Sequence, residues 1–330
     1  MDAIKFGIFS TASINENGFI PFVERTPGAE LAAVASRDAA RAAEYARKHD
    51  IPKSYGSYEE LLADGEVNCI YNPLPPSMHA EWSIRALEAG KHVLCEKPAA
   101  LNAAEALEIK AKVEETGLVF AEAFHNRYHP VVEECLRLVR EGEIGEVKSI
   151  RASFCIIVPD FSKIQYKPEM GGGALLDLGC YPVSFARWAA GCDEAVVPRA
   201  GRFRAPGGGV DLATWARLEF SSGVTARVRC SFLSIEPEVA VIRGSEGVIT
   251  FLQYIHPVVE FRGVKLATYL LTVFKKSGIR NIRIESDSTY EHQLAKFSGA
   301  VRAGEQPLTN IDEAVANMRL LDAIAARAGA

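Results

Sequence analysis

Two hydrophobic rhythms divide the chain near residue 124. Before that point, short unbroken apolar runs such as LAAVA (31–35) and CIY (69–71) alternate with stretches whose apolar residues recur every three or four positions. An unbroken run of this length suits a strand buried on both faces, and the recurring pattern suits an amphipathic helix. The pattern predicts strands near 3–9, 30–36, 67–71, 92–95 and 118–122, with helices over 38–49, 79–89 and 102–116. Strands alternating with helices build a parallel sheet covered on both sides, a doubly wound α/β domain over residues 1–124.

After residue 124 the period shortens to two. In VTARVRCSF (224–232), Val224, Ala226, Val228, Cys230 and Phe232 fall on one side and Thr225, Arg227, Arg229 and Ser231 on the other. That alternation marks an antiparallel strand with one apolar face. It follows ATWARLEF across SSG, which predicts a hairpin, and GSEG (244–247) predicts a second hairpin turn. With helices over 130–141, 290–303 and 311–327, residues 125–330 read as one α+β domain with a large, mostly antiparallel open sheet.

Composition narrows the function classes. At 330 residues, 48% hydrophobic and 24% charged, the chain is long enough for two domains and apolar enough to give each a core. A formal net charge of −5 and the absence of a long basic run argue against nucleic acid as a partner. Seven cysteines without a C-x-x-C spacing read as reduced thiols. The N-terminal MDAIKFGIFS lacks the apolar core of a signal peptide. The longest other apolar stretch, Leu266 to Phe274, falls well short of the roughly 20 residues a bilayer needs. The expectation is a soluble cytoplasmic protein with no membrane contact.

Candidate chemistry gathers at strand ends. KFGIFSTASINENGF has the layout of a dinucleotide-binding turn, but of the glycines in G-x-G-x-x-G only Gly7 fits. Ser36 and Arg37 close the second strand, where a small residue with an arginine suits the 2′-phosphate of NADP; the alternative is a serine cap and a solvated arginine. Farther on, Pro73, Leu74 and Pro75 open a helix at His79, and the strand HVLC ends in Glu96, Lys97 and Pro98. Ligands of open α/β sheets bind outside the carboxyl ends of the strands, so this charged pair stands where chemistry would occur. In the second half, GGGALLDLGCYP carries Asp177 and Tyr181 four positions apart, a spacing that places both on one face of an α-helix.

GKHVLCEKPAA, GGGALLDLGCYP, PLPPSMHAEW and GEIGEVKSIRASF together resemble the glucose-fructose oxidoreductase, inositol dehydrogenase and MocA family over essentially the whole chain, with the closest likeness to its NADP-using sugar and dihydrodiol dehydrogenase branch. The resemblance implies a Rossmann domain followed by a sheet domain that shapes the substrate pocket and joins subunits into a homodimer or homotetramer. It places the family's E-K-P on Glu96, Lys97 and Pro98, with Lys97 catalytic, and the family's D-x-x-x-H/Y pair on Asp177 and Tyr181. It also places the phosphate-binding turn, G-I-x-G/S-T-A in relatives, on Gly7, Ser10, Thr11 and Ala12, with the serine amide open to phosphate. Glu16 is odd there, because relatives are neutral or basic near the phosphates; altered affinity is the expected consequence. Where relatives often read E-A-F-M-Y-R-F-H-P this chain reads EAFHNRYHP, so His125, Asn126 and Arg127, with Gln165 in place of an arginine, become substrate-pocket candidates.

The chemistry follows from these assignments. Hydride transfer between a carbinol carbon and nicotinamide needs a group that exchanges the hydroxyl proton, and Tyr181 is the acid/base, with Lys97 favouring its phenolate and Asp177 orienting a neighbouring hydroxyl. Other enzyme classes lack their residues: none of the ten tyrosines is followed four positions later by lysine, and no zinc-ligand set, P-loop or G-x-S-x-G occurs. The expected activity is an NADP(H)-dependent oxidoreductase acting on a sugar, cyclic polyol or dihydrodiol, with NAD(H) possible as cofactor and no metal. A nicotinamide-dependent glycosidase and a non-catalytic cofactor-binding regulator remain the alternatives.

Overall fold

The computed structural model of the chain describes residues 3–204, 209–257, 259–261, 264–266, 271–284 and 286–329. Residues 267–270, inside the apolar stretch noted above, lie outside the described set. Contacts between Cα atoms divide the chain into two units. One joins residues 1–124 with 290–315; the other joins 125–289 with 316–330.

The first unit is built on six strands, Ile4–Phe9 (β1), Ala29–Ala35 (β2), Lys53–Tyr55 (β3), Cys69–Asn72 (β4), His92–Cys95 (β5) and Phe120–Glu122 (β6). All pair in parallel, in the order β3-β2-β1-β4-β5-β6. This is the doubly wound order in which the crossover reverses between β1 and β4 and a crevice opens at their carboxyl ends. Helices Ile14–Gly18 (α1), Ile20–Val23 (α2), Ala39–Lys48 (α3), Tyr58–Leu62 (α4), His79–Glu88 (α5) and Ala103–Thr116 (α6) connect them. The sheet's apolar strands are buried as the unbroken runs require. Phe6 packs edge-on to Phe19 at 5.2 Å, and Phe19 stacks on Tyr71 at 4.0 Å. Each such pair adds about 0.5–1.5 kcal/mol beyond area burial.

The contact division departs from a single cut at residue 124. Leu294 and Phe297 lie in the same core cluster as Phe6, Val23 and Tyr71. The amphipathic stretch over 290–303 therefore finds its apolar partner in the parallel sheet's unit. The short β3 has no sequence signal, because two of its three residues, Lys53 and Ser54, are polar.

The second unit holds helices Pro130–Arg140 (α7) and Cys180–Ala190 (α8) and an eight-stranded sheet. Its strands are Val147–Cys155 (β7), Ala195–Arg204 (β8), Asp211–Phe220 (β9), Thr225–Ser231 (β10), Glu236–Gly244 (β11) and Gly247–Leu252 (β12). After a separate two-stranded ribbon, Val259–Phe261 (β13) with Val264–Leu266 (β14), come Leu271–Lys275 (β15) and Gly278–Ile282 (β16). The large sheet runs β16-β15-β12-β11-β7-β10-β9-β8, and only the β7–β10 pair is parallel. Both hairpins predicted from the pattern form, β9–β10 and β11–β12. Ile150, Ala226, Val228 and Leu218 turn inward and are buried, and α8 packs against β7 and β10 on that side. Thr289–Ala303 (α9) and Ile311–Gly329 (α10) complete the chain.

Candidate active site

The cofactor end is built by the first turn of the parallel sheet. Gly7 lies within β1, and a Cβ there would approach Leu61 Cδ1 and Val67 Cγ1 to 3.0 and 3.1 Å. Its missing side chain therefore admits α4 rather than a phosphate. Ser10 takes the left-handed conformation at φ +69° that a glycine would ordinarily supply. Its amide is not open to a ligand, contrary to the sequence expectation, because it donates to Ala35 O at 2.9 Å. The Ser10 hydroxyl, by contrast, is buried without a protein partner. Asn15 Nδ2 donates to Ser10 O at 3.0 Å and braces the turn.

Beside this turn lies a hollow of about 440 Å³ lined by Ser10, Thr11, Ser36, Arg37, Arg41 and Tyr58, with Asp38 at its edge. Asp38 caps α3 by accepting from the Arg41 amide at 3.1 Å, and Ser36 Oγ accepts from the Asp38 amide at 3.3 Å. The cap is thus Asp38, and the serine braces it while lining the hollow. Arg37 precedes the cap of α3 and Arg41 lies in its first turn, and neither guanidinium forms an ion pair among the described residues. Arg37 reaches the Tyr58 hydroxyl, whose pKa burial raises and Arg37 pulls back. An orphaned buried hydroxyl and two unpaired guanidiniums fit the adenosine end and 2′-phosphate of NADP. Arg41 and Tyr58 were not apparent as site residues; the i, i+4 spacing of the two arginines was the available signal. Glu16, the odd acid, points to α3, where Lys48 at 2.6 Å and His49 at 3.3 Å hold it. Its carboxyl pKa is lowered, first by the Lys48 hydrogen bond, so its charge is matched within the protein.

The next two strand ends are tied together from below. Asn72, fully buried at the end of β4, donates to His79 O and Ser83 Oγ at 3.3 and 3.1 Å, and its Oδ1 accepts from the Leu74 amide at 3.4 Å. His79 is 1% exposed, with Nδ1 2.7 Å from Pro98 O and Nε2 2.6 Å from Leu74 O. Both ring nitrogens are thus occupied by the fold: His79 latches the Pro73–Pro75 turn to the Lys97–Pro98 segment, whose peptide bond is cis. Burial pushes its pKa down to about 4, against the pull of the two carbonyls and with help from the Lys97 charge. Glu96 accepts from the Tyr71 hydroxyl at 2.7 Å. Glu122, 1% exposed at the end of β6, accepts from the Ala99 amide at 2.8 Å. Lys97 is therefore presented by backbone fixed on both sides.

The second constellation stands on the glycine run. Gly171 and Gly173 have φ of +79° and +123°, and a Cβ on Gly172 would come within 2.6 Å of Gln165 O. The loop exists because it carries no side chains. It delivers the chain to Asp211 of β9, whose carboxylate accepts from the Leu175 amide at 2.9 Å and the Thr214 hydroxyl at 2.7 Å. A carboxylate at a helix start satisfies an otherwise orphaned amide and complements the dipole. Leu175–Gly179 then forms one π-helical turn before α8 begins at Cys180. Such single turns recur at functional sites. Asp177 is half-buried on that turn and Tyr181 is 4% exposed on α8.

Around Tyr181 the second unit gathers residues far apart in sequence. Its hydroxyl lies 3.3 Å from His125 Nε2, and His125 Nδ1 lies 2.8 Å from Thr289 Oγ1. His256 lies against His125 at 5.5 Å between ring centroids, and Glu238 accepts from the His256 amide and sits 2.8 Å from its Nδ1. Phe154 packs edge-on to Tyr181 at 5.6 Å. Asn126 is fully buried and donates to Tyr254 O at 3.2 Å, leaving Oδ1 without a protein partner. Arg127 stacks over Trp188 at 5.3 Å. Gln165, half-buried beside the glycine run, also has an unpartnered buried oxygen, Oε1. Thr289, His256, Glu238 and Asp211 carried no local motif and were not anticipated.

Among the described residues there is no group of three His, Cys, Asp or Glu side chains placed to hold a metal, and no helix long and apolar enough to cross a membrane. A separate hollow of about 520 Å³ lies on the outer face of the large sheet between Arg151, Arg199, Trp215, Arg217, Arg227 and Arg229.

Comparison with known proteins matches both halves. Residues 4–124 match an oxidoreductase family with an NAD-binding Rossmann fold, and residues 132–250 match the GFO/IDH/MocA C-terminal domain. A D-xylose 1-dehydrogenase (NADP(+)) from Haloferax volcanii is 36% identical over 97% of this chain and 96% of its own. A trans-1,2-dihydrobenzene-1,2-diol dehydrogenase from Xenopus tropicalis is 36% identical over 75% of this chain and 74% of its own. A 3-ketoreductase from Actinomadura kijaniata, solved with NADP and TDP-benzene, superposes with a TM-score of 0.88 at 28% identity, covering 98% of each chain.

Proposed function

The chain belongs to the GFO/IDH/MocA oxidoreductase family, and on that premise we propose that it is an NADP(H)-dependent oxidoreductase moving a hydride between nicotinamide and a carbinol or carbonyl carbon of a sugar, cyclic polyol or dihydrodiol. The observation that carries the cofactor preference is the hollow at the end of β2, where Arg37, Arg41 and Ser36 face one another beside the unpartnered Ser10 hydroxyl. When bound there, the cofactor supplies the hydride acceptor or donor. The rest of the reaction belongs to side chains. Tyr181 exchanges the hydroxyl proton, Lys97 hydrogen-bonds the substrate oxygen and stabilises its developing negative charge, and Asp177 orients a neighbouring hydroxyl. Gln165, with its unpartnered oxygen, and the segment His125 to Arg127 shape substrate choice.

The same reading extends to assembly and location. The outer face of the eight-stranded sheet exposes Trp215, Leu252, Phe274 and Ile279, each pointing away from the helices. A sheet face left uncovered with large apolar side chains is a self-association surface, and a homodimer or homotetramer through it is our assignment. All seven cysteines are free thiols, which supports a reducing, cytoplasmic setting.

A fluorescence titration with NADPH and NADH tests the cofactor site. Arg37→Ala is expected to weaken NADPH by about 10- to 100-fold, the worth of one or two charge-assisted hydrogen bonds, and NADH by less than about threefold. Equal weakening of both cofactors overturns the 2′-phosphate assignment. A panel of sugars, polyols and dihydrodiols, followed by nicotinamide absorbance, then identifies the substrate.

A further inference from the structure

Tyr181 stands in a hydrogen-bonded chain buried in its own unit. Its hydroxyl faces His125 Nε2 at 3.3 Å, and His125 Nδ1 faces Thr289 Oγ1 at 2.8 Å. All three residues are nearly closed to solvent, at 4%, 3% and 5% exposure. A buried imidazole with a hydroxyl at each nitrogen can occupy either neutral tautomer. With the proton on Nδ1 it donates to Thr289 and accepts from the Tyr181 phenol. With the proton on Nε2 it donates to the Tyr181 oxygen and accepts from Thr289, whose hydroxyl is both donor and acceptor. The exchange requires the threonine hydroxyl and the tyrosine hydroxyl both to turn. His256, at 5.5 Å between rings on the segment after β12, and Glu238 of β11, which holds His256, also face His125. Phe154 of β7 and Asn126 add no charge on that side. The His256 side chain is 43% exposed, so the cluster opens toward water at that end.

We propose that His125 is the proton relay of Tyr181, an assignment that rests on Tyr181 being the acid/base of the hydride-transfer reaction. In the oxidation direction the carbinol proton passes to the Tyr181 oxygen while the tyrosine's own proton passes to His125 Nε2. The C–H bond breaks with its electron pair leaving as hydride to nicotinamide, and the carbinol C–O bond becomes C=O. One hydride and one proton leave the substrate, and the proton rests on His125 as imidazolium, with Nδ1–H donated to Thr289, until it departs to water past His256. Reduction runs the same steps in reverse. The relay removes the need for a free phenolate at neutral pH, which a phenol of pKa near 10 would supply only scantily.

The test uses the full-length protein. Histidine labelled with ¹⁵N and tyrosine labelled with ¹³C at Cζ report the His125 tautomer and the Tyr181 titration without any substrate, with Tyr181→Phe assigning the signal. In wild type the Tyr181 signal is expected to respond to His125 protonation, and in His125→Gln, which keeps a hydrogen-bonding amide but cannot exchange a proton, that response disappears. Thr289→Val is expected to shift the tautomer toward Nε2–H. An identical Tyr181 titration in wild type and His125→Gln overturns the relay. With D-xylose and NADP as probes, His125→Gln should lower kcat by about 10- to 100-fold, change KM less than about twofold and move the acid limb of the kcat profile by about one unit or more. Unchanged kcat and pH profile in that variant, with turnover lost in Tyr181→Phe, sinks the relay alone. Turnover retained in Tyr181→Phe sinks the acid/base assignment beneath it.

Discussion

The two units hold their reactive groups by different means. In the parallel unit Lys97, Glu96 and the Pro73–Pro75 turn sit at the ends of strands, and backbone carbonyls and amides fix them: Leu74 O and Pro98 O on His79, the Ala99 amide on Glu122. In the second unit Tyr181 sits on a helix, and side chains from remote segments support it, His125 at its hydroxyl with Thr289 and His256 against that histidine, and Asp211 anchors the helix start. A strand-end site inherits its geometry from the sheet. A helix-borne site must be assembled by contacts that form only when the chain is folded.

The sharpest break between the two is chemical. Lys97→Met should lower turnover by at least about 10³-fold, because charge stabilisation at the reacting oxygen is lost, while NADPH affinity by fluorescence stays within about threefold of wild type. Undiminished turnover would return the lysine to the status of a surface residue. Next in size is Gly173→Ala. At φ +123°, and with the Asp211 carboxylate occupying the place of the new methyl, the substitution should destabilise by about 2–4 kcal/mol in urea unfolding. The contrast between units predicts that Gly7→Ala, against flexible leucine and valine methyls, costs less, about 1–2 kcal/mol.

His79 gives the effect with a pH signature. Its folded pKa is about 4 against 6.5 in the unfolded chain, so between those values the unfolded state binds the extra proton. Its contribution is complete above pH 6.5 and fades as pH falls toward 4, by up to roughly 3 kcal/mol. Thermal melts of wild type should therefore lose stability over that window more steeply than His79→Gln. Parallel curves would mean that the ring stays charged between its two carbonyls.

What could be read from the sequence follows the same divide. Continuous apolar runs marked β1, β2, β4, β5 and β6, and alternation marked the β9–β10 hairpin, because burial writes itself into local periodicity. The β3 strand and Arg41 escaped notice, the first for want of apolar residues and the second because a surface arginine looks solvated until the hollow beside it is seen. Lys97, Asp177 and Tyr181 were singled out through motif resemblance, and the π-helical turn beneath Asp177 was not anticipated, since hydrogen-bond spacing leaves no hydrophobic trace. Thr289 lies 164 positions from the histidine it faces. No window-based reading joins such residues.

The return of residues 290–315 to the parallel unit has a consequence for synthesis. Leu294 and Phe297 are part of that unit's core. A chain emerging from the ribosome presents all six parallel strands early, yet the core that covers them stays incomplete until nearly the whole second unit has followed. The nascent first unit keeps apolar surface uncovered until residues 125–289 have been made, so its maturation is tied to successful translation of its neighbour.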